Sequence, residues 1–314
     1  MNSEFMWTML VHLGSNMWNE EGNTKGRIGR SNCDASPVLR FDRKLWDEQM
    51  LRLKNSGVNT LMIDIGEAMR YESHPELAVE GSWTHEQMRA ELQKLRGMGF
   101  EIIPKLNFSA CHDIWLKDYS RMLSTPVYYQ VCKDIINEVC DVFEPKHFHL
   151  GMDEEGYPCQ RHFDYAVIRQ GDLWWHDLYY LVDLVEKRNA RAWVWSDYMW
   201  NHPDEYLSKM PKTVLQNNWC YNCADQSPEA SYASCMRCFD LLDRAGYDQM
   251  PTASTYTSYE NMVQLTQFCA PKIAPEHFKG MMQTVWERIA DGWMHKHEAA
   301  ARTLHEAKMW LENQ

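Results

Sequence analysis

The sequence predicts an α/β protein built as a single (β/α)8 TIM barrel over residues 1–314. Three observations predict it. Eight short apolar runs of strand character alternate with amphipathic helical stretches. No Pro/Gly/Ser-rich linker interrupts the alternation. A helix–Gly–strand join recurs at Gly57-Val58, Gly99-Phe100 and Gly246-Tyr247, where a glycine just past a helix can take the left-handed conformation that ends it. Alternating units bury parallel strands under helices, and eight such units in 314 residues close into a barrel. A doubly wound open sheet is the other arrangement this pattern allows. No G-x-G-x-x-G follows any strand, which argues against a dinucleotide-binding version of it.

The elements follow in order. Met6–Leu13 is the first strand, followed by a loop with Gly14, Asn16, Asn19 and Gly22. A helix begins near Asp42, with Trp46, Met50 and Leu53 on one face, and stops at Ser56-Gly57. Val58–Ile65 is the second strand. Thr84-x-x-Gln87 forms a capping box for a helix that packs Met88, Leu92 and Leu95. Phe100–Leu106 is the third strand, and Val127, Val131, Ile135 and Val139 mark the next helix. The fourth strand lies in Lys146–Pro158, KHFHLGMDEEGYP. There His147, His149, Gly151 and Asp153 alternate with Phe148, Leu150 and Met152 at the period of a strand. A helix around Leu178, Leu181, Val182 and Val185 leads to strand Arg191–Ser196. A helical turn after Pro203 leads to Thr213–Asn218. A helix with Cys238, Leu241, Leu242 and Ala245 leads to Gln249–Thr255. A helix near Met262, Leu265 and Cys269 leads to Lys279–Val285, and Ala300, Leu304, Ala307 and Leu311 mark the closing helix.

Composition narrows the partners. The formal charge of −12 argues against nucleic acid and anionic membrane surfaces, which need clustered Lys and Arg. No apolar run is long enough to span a bilayer. MNSEFMWTMLVHLG has neither the basic start nor the small-residue cleavage site of a secretory signal. As it stands the chain reads as cytoplasmic, or as periplasmic or secreted if a signal has been removed. Ten cysteines in 314 residues do not make a small disulfide scaffold and read mostly as buried thiols. Fourteen Trp and fifteen Tyr serve a core, and flat aromatic faces also serve a sugar cleft.

A barrel gathers its working residues at the C-terminal ends of its strands. In order, those ends offer His12, Asp64/Glu67, Asn107/His112, Asp153/Glu154/Glu155, Asp197, Asn218/Trp219, Tyr256 and Trp286/Glu287. Carboxylates and aromatics dominate, which suits a neutral, hydroxyl-rich carbohydrate. A phosphate ligand would call for Arg, Lys or a Gly-rich nest, and none is evident. Three adjacent carboxylates at Asp153–Glu155 repel one another, so chemistry explains them better than structure does.

His149-x-Gly151-x-Asp153-Glu154 resembles the H-x-G-x-D-E signature of the glycoside hydrolase family 20 β-N-acetylhexosaminidases, at the end of the fourth strand of their barrel. FEIIPKLNFSACH is similar to that family's third-strand segment, WVWSDYMW to its fifth, and Asn218-Trp219, Tyr256 and Val285-Trp286-Glu287 to its later strand ends. The resemblance implies a retaining exo-glycosidase without a cofactor or metal. Glu154 would be the general acid. Asp153 would orient the substrate's 2-acetamido group, whose carbonyl oxygen attacks the anomeric carbon. Tyr256 would hold the acetamido oxygen, and Trp219 and Trp286 would wall the sugar. His149, Asn107, His112, Asp64, Asp197 and Glu287 complete the candidate substrate-binding set. The two acids can meet only if the strand ends between them, which Gly156 and Pro158 favour. The chain departs from the family pattern in three places. VHLGSNMW lacks the first-strand arginine, Asn107 replaces an aspartate, and Glu155 adds a third acid.

Other readings stand beside these. His147 and His149 can be core histidines, Asp64 and Asp197 can bind backbone amides, and Trp193, Trp195 and Trp200 can simply pack. A barrel that binds carbohydrate without cleaving it is one alternative. A metal-dependent hydrolase built on His12, Asp64, His149 and Asp153 is another. Cys220-x-x-Cys223 and Cys235-x-x-Cys238 have the spacing of a zinc site, although the second pair lines up with a helix's apolar face.

Overall fold

The computed structural model of the protein describes residues 5–20, 34–161, 163, 166–223 and 232–314. Gly22 lies outside the described residues. Eight parallel strands form one sheet: β1 (Met6–His12), β2 (Thr60–Asp64), β3 (Glu101–Lys105), β4 (His147–His149), β5 (Arg191–Trp195), β6 (Leu215–Asn217), β7 (Thr252–Ser254) and β8 (Gly280–Thr284). Their order is β6-β5-β4-β3-β2-β1-β8-β7. Backbone bonds close the remaining seam between β6 and β7, from Met250 N to Gln216 O (2.8 Å) and from Thr252 N to Asn218 O (2.9 Å). This is the (β/α)8 barrel that the alternation predicts.

Between the strands run α1 (Arg43–Asn55), α2 (His85–Gly97), α3 (Pro126–Phe143), the short α4 (Tyr157–Gln160), α5 (Asp172–Glu186), α6 (Tyr198–Asn201), α7 (Pro203–Lys209), α8 (Ala233–Arg244), α9 (Asn261–Cys269) and α10 (Met294–Glu312). Local chemistry sets their ends. Asp42 caps α1 by accepting from Leu45 N, and Thr84 with Gln87 makes the expected capping box on α2. Gly57, Gly99 and Gly246, at the helix–strand joins, have φ of +84°, +90° and +75°. Among the described residues, no helix is long and apolar enough to cross a membrane.

The period-two pattern sorts side chains into two layers. Outward residues such as Met9, Val11, Leu61, Ile63, Phe148 and Val194 pack under the helices. Leu10, Met62, Ile103, Trp193, Trp195, Leu215, Met250 and Met282 form a separate cluster that fills the barrel. One register row, His12–Asp64–Lys105–His149–Trp193, is polar over most of its length and belongs to the inner set.

The strands are shorter than the sequence pattern indicates. The alternation from His147 to Asp153 stops at His149, because Gly151 and Met152 take φ of +75° and +76°. The sixth and seventh strands shrink to Leu215–Asn217 and Thr252–Ser254. The helical turn Tyr198–Asn201 and the 3-10 segment Ile114–Arg121 carry no long apolar period and are not evident in the sequence.

Candidate active site

The site begins where β4 breaks off. Gly151 N donates to His149 Nδ1 (3.0 Å), and the left-handed backbone at Gly151 brings the chain hard against Asn107. A Cβ on Gly151 would fall 1.9 Å from Asn107 Oδ1, so only glycine fits. Asn107 braces the turn on both sides. Its Oδ1 accepts from Met152 N (3.3 Å) and its Nδ2 donates to Asp153 Oδ1 (2.8 Å). Ser109 Oγ donates to Asp153 O. Glu154 has φ of +51°, a conformation costing about 1–2 kcal/mol, and its N–H donates to Asp197 Oδ2 (2.8 Å). These left-handed residues undo the strand's alternation, so the side chains of Asp153 and Glu154 converge.

They converge on His112. Its Nε2 lies 3.3 Å from Asp153 Oδ2 and 3.3 Å from Glu154 Oε2. Burial alone would discharge the ring, but the two carboxylates hold its proton and push the pKa up to about 10. Burial opposes ionisation of Asp153 as well, yet His112, Lys105 and the Asn107 amide keep its pKa well below the usual carboxylate range. Asp197 goes the other way. Burial, reinforced by Asp153 and Glu154, pushes it up to about 8. The Glu154 side chain is 31% exposed and the Asp153 side chain 10%, so Glu154 opens to solvent above a covered Asp153.

Aromatic rings wall this charged group. Trp18 packs edge-on against His112 (6.4 Å between ring centres) and against Trp286 (6.4 Å). Trp286 Nε1 donates to Tyr221 OH (3.0 Å), Tyr221 stacks on Trp219 (4.7 Å), and Trp219 meets Trp200 (4.2 Å). Burial chiefly raises the Tyr221 pKa, and the charges of Asp153 and Glu154 raise it further, which puts its hydroxyl within their electrostatic reach.

Beneath the mouth, Lys105 Nζ is paired with Asp64 Oδ2, and His12 Nδ1 lies 3.6 Å from the same oxygen. Burial would raise the Asp64 pKa, but Lys105 and His12 hold it down. His149 is fully buried, and burial with nearby Lys105 pushes its pKa to about 3, so it is a neutral ring that shapes the turn.

The structure therefore brings together Asn107, His112, Asp153, Glu154 and Asp197, with Trp219 and Trp286 in the aromatic wall. It places His149 and Asp64 in the barrel interior. Glu287 is buried and paired with Lys296 (3.0 Å), and Tyr256 is 48% exposed on the loop after β7. Glu155 turns away from its two neighbours into a buried ion pair with Arg169 (Nη2 to Oε2, 2.6 Å), and Arg169 also reaches Asp177 (3.2 Å). Sequence reasoning missed Trp18, Tyr221, Lys105 and Arg169. Only Tyr221 left a signal, sharing the period-two face of Trp219 in N-W-C-Y.

Neither expected metal set assembles. His149 Nδ1 is taken by Gly151, and Asp64 by Lys105. Among the described residues, the group of three His, Cys, Asp or Glu with ligand atoms mutually within 4.8 Å is His112, Asp153 and Glu154. A metal ion there would have to displace the proton that Asp153 and Glu154 hold on the His112 ring. Cys220, Cys223, Cys235 and Cys238 are all buried, and Cys235 and Cys238 sit on the packed face of α8.

No protein-family model matches the sequence, and no curated protein matches it. Solved structures match in fold. The β-N-acetylhexosaminidase from Bacteroides fragilis aligns with a TM-score of 0.62 and 10% identity, over 98% of this chain and 71% of that one. The family 20 exo-β-N-acetylglucosaminidase from Vibrio harveyi, in complex with N-acetylglucosamine, gives 0.62 and 13% over 99% of this chain and 58% of that one. Dispersin B gives 0.60 and 12% over 98% of this chain and all of that one (100%). The chain thus spans less than two thirds of the Vibrio enzyme and the whole of dispersin B. At these identities the likeness is one of fold.

Proposed function

We propose that the chain is a retaining exo-glycosidase that hydrolyses a terminal 2-acetamido hexoside with the help of the substrate's own acetamido group. The observation that carries this reading is the convergence of Asp153 and Glu154 on His112 inside an aromatic-walled mouth. Asp153 stays ionised and is fixed by Asn107, so it can accept the acetamido N–H and aim the carbonyl oxygen at the anomeric carbon. Glu154, open to solvent, takes up a proton from it, delivers that proton to the glycosidic oxygen and then draws one from the water that completes hydrolysis. Tyr221, bonded to Trp286 and within electrostatic reach of both acids, takes the acetamido-holding role that the resemblance gives to Tyr256. Asp197 holds Glu154 through its backbone and so positions the acid.

Glu154→Gln is the test. It keeps size and hydrogen bonding and removes the transferable proton. Turnover of an aryl 2-acetamido-β-glycoside should drop by a factor of about 100–10,000 with the melting temperature little changed. Turnover equal to wild type would end the proposal. One rival reading draws on the absence from VHLGSNMW of the hydroxyl-gripping arginine that the resemblance implies there: a barrel that binds sugar without cleaving it. Release of chromophore from any aryl glycoside excludes that rival.

A further inference from the structure

Two cysteines that the proposed chemistry does not use join the loops that carry it. Cys111 lies immediately before His112, in the loop whose Ser109 Oγ donates to Asp153 O. Cys159 lies in α4, five residues after Glu154. Both reach one acceptor, for Gly156 O takes Cys111 Sγ at 3.6 Å and Cys159 N at 3.0 Å. The two thiols also contact each other, and that contact, with burial, raises the Cys111 pKa strongly. The same loops are bound by Gln160, whose Nε2 donates to Ala110 O. Cys111 is 3% exposed, while Cys159 is partly open to solvent. A second thiol contact, Cys220 with Cys235, is fully buried at 0% exposure for both residues, so oxidant cannot reach it.

We propose that Cys111 and Cys159 form a reversible disulfide that staples the His112 loop to the Asp153–Glu154 loop, with Cys159 as the thiol that meets the oxidant. With hydrogen peroxide the steps balance. The Cys159 thiolate attacks one peroxide oxygen, an S–O bond forms, the O–O bond breaks, and hydroxide leaves and is protonated to water. The Cys111 sulfur then attacks the Cys159 sulfur; the S–S bond forms, the S–O bond breaks, and a second water departs with the Cys111 proton. Two thiols lose two electrons and one peroxide gains them. Thiol reductants reverse the link. The exposed thiol attacks first because peroxide reaches Cys159 from solvent and does not reach the buried Cys111.

The test oxidises the full chain with hydrogen peroxide and maps its peptides without reduction. A peptide pair linked through Cys111 and Cys159 should appear and vanish with dithiothreitol. Because the link closes a loop of 48 residues (159 − 111), the oxidised protein should melt several degrees higher. Cys159→Ser should lose both the linked pair and the shift. Cys111→Ala repeats the test from the other side. Oxidation that leaves both thiols open to alkylation overturns the proposal. So does a melting shift that survives in Cys159→Ser, or a link from either cysteine to a different partner.

Discussion

If His112 is a buried cation gripped by Asp153 and Glu154, the stability of the fold must carry its titration. Its pKa rises from 6.5 to about 10 on folding, which corresponds to about 5 kcal/mol at about 1.4 kcal/mol per tenfold change. The geometry gives a comparable figure. A charge pair at 3.3 Å in an effective dielectric of about 20 attracts by about 5 kcal/mol, two such pairs give about 10, and burying the ring takes back several. A group whose pKa is raised in the folded state contributes fully below its unfolded pKa and loses that contribution as pH rises through the folded one. The loss therefore runs from pH 6.5 to about 10, and between pH 7.5 and 10 it amounts to about 3 kcal/mol. Urea unfolding of wild type and His112→Gln across that range isolates it, since tyrosine, lysine and thiol titrations are common to both. The wild type's advantage over the variant should shrink by about 3 kcal/mol from pH 7.5 to 10. Parallel stability curves would refute the ion-pair account, because they would mean the ring is neutral throughout.

Two further substitutions probe the site's supports. Arg169→Met strands Glu155 and Asp177 in a dry environment, so unfolding in urea should show a loss of about 3–5 kcal/mol; a loss under 1 kcal/mol would mean the network is not desolvated. Tyr221→Phe keeps the stacked ring and removes the hydroxyl that accepts from Trp286. It should lower kcat/KM on a 2-acetamido substrate about tenfold while leaving a substrate without that group unaffected, and Tyr256→Phe should do less. The reverse ranking would return the acetamido-holding role to Tyr256.

The barrel was legible because its signals are local. Apolar runs at period two, helical faces at period 3.6 and a glycine at each of three joins all lie within a few residues of the elements they specify. Strand ends were less legible, since the ladder stops where one chain meets another. His149 ends β4 because Gly151 must pass Asn107, 44 residues earlier, and nothing within the fourth strand's own sequence announces that meeting. Asp64 reads as a strand-end acid, and its partner Lys105 lies directly across from it on the neighbouring strand.

The carboxylate run shows the same limit at the site itself. Asp153, Glu154 and Glu155 look alike in sequence, three like charges with no local cation, and their repulsion points to chemistry without saying which of them performs it. The backbone separates them. Left-handed φ at Gly151, Met152 and Glu154 turns the first two acids toward His112, 41 residues back, while Glu155 points inward to Arg169, 14 residues on. Each cation lies near enough in space to neutralise its partner and too far along the chain for spacing to reveal it. The division of labour follows from which cation each acid meets. Glu155 meets a permanently charged guanidinium that grips it through Nε and Nη2, and is locked as structure. Asp153 and Glu154 share one imidazolium, whose single face toward them leaves carboxylate oxygens for a substrate, and so they keep the capacity for chemistry.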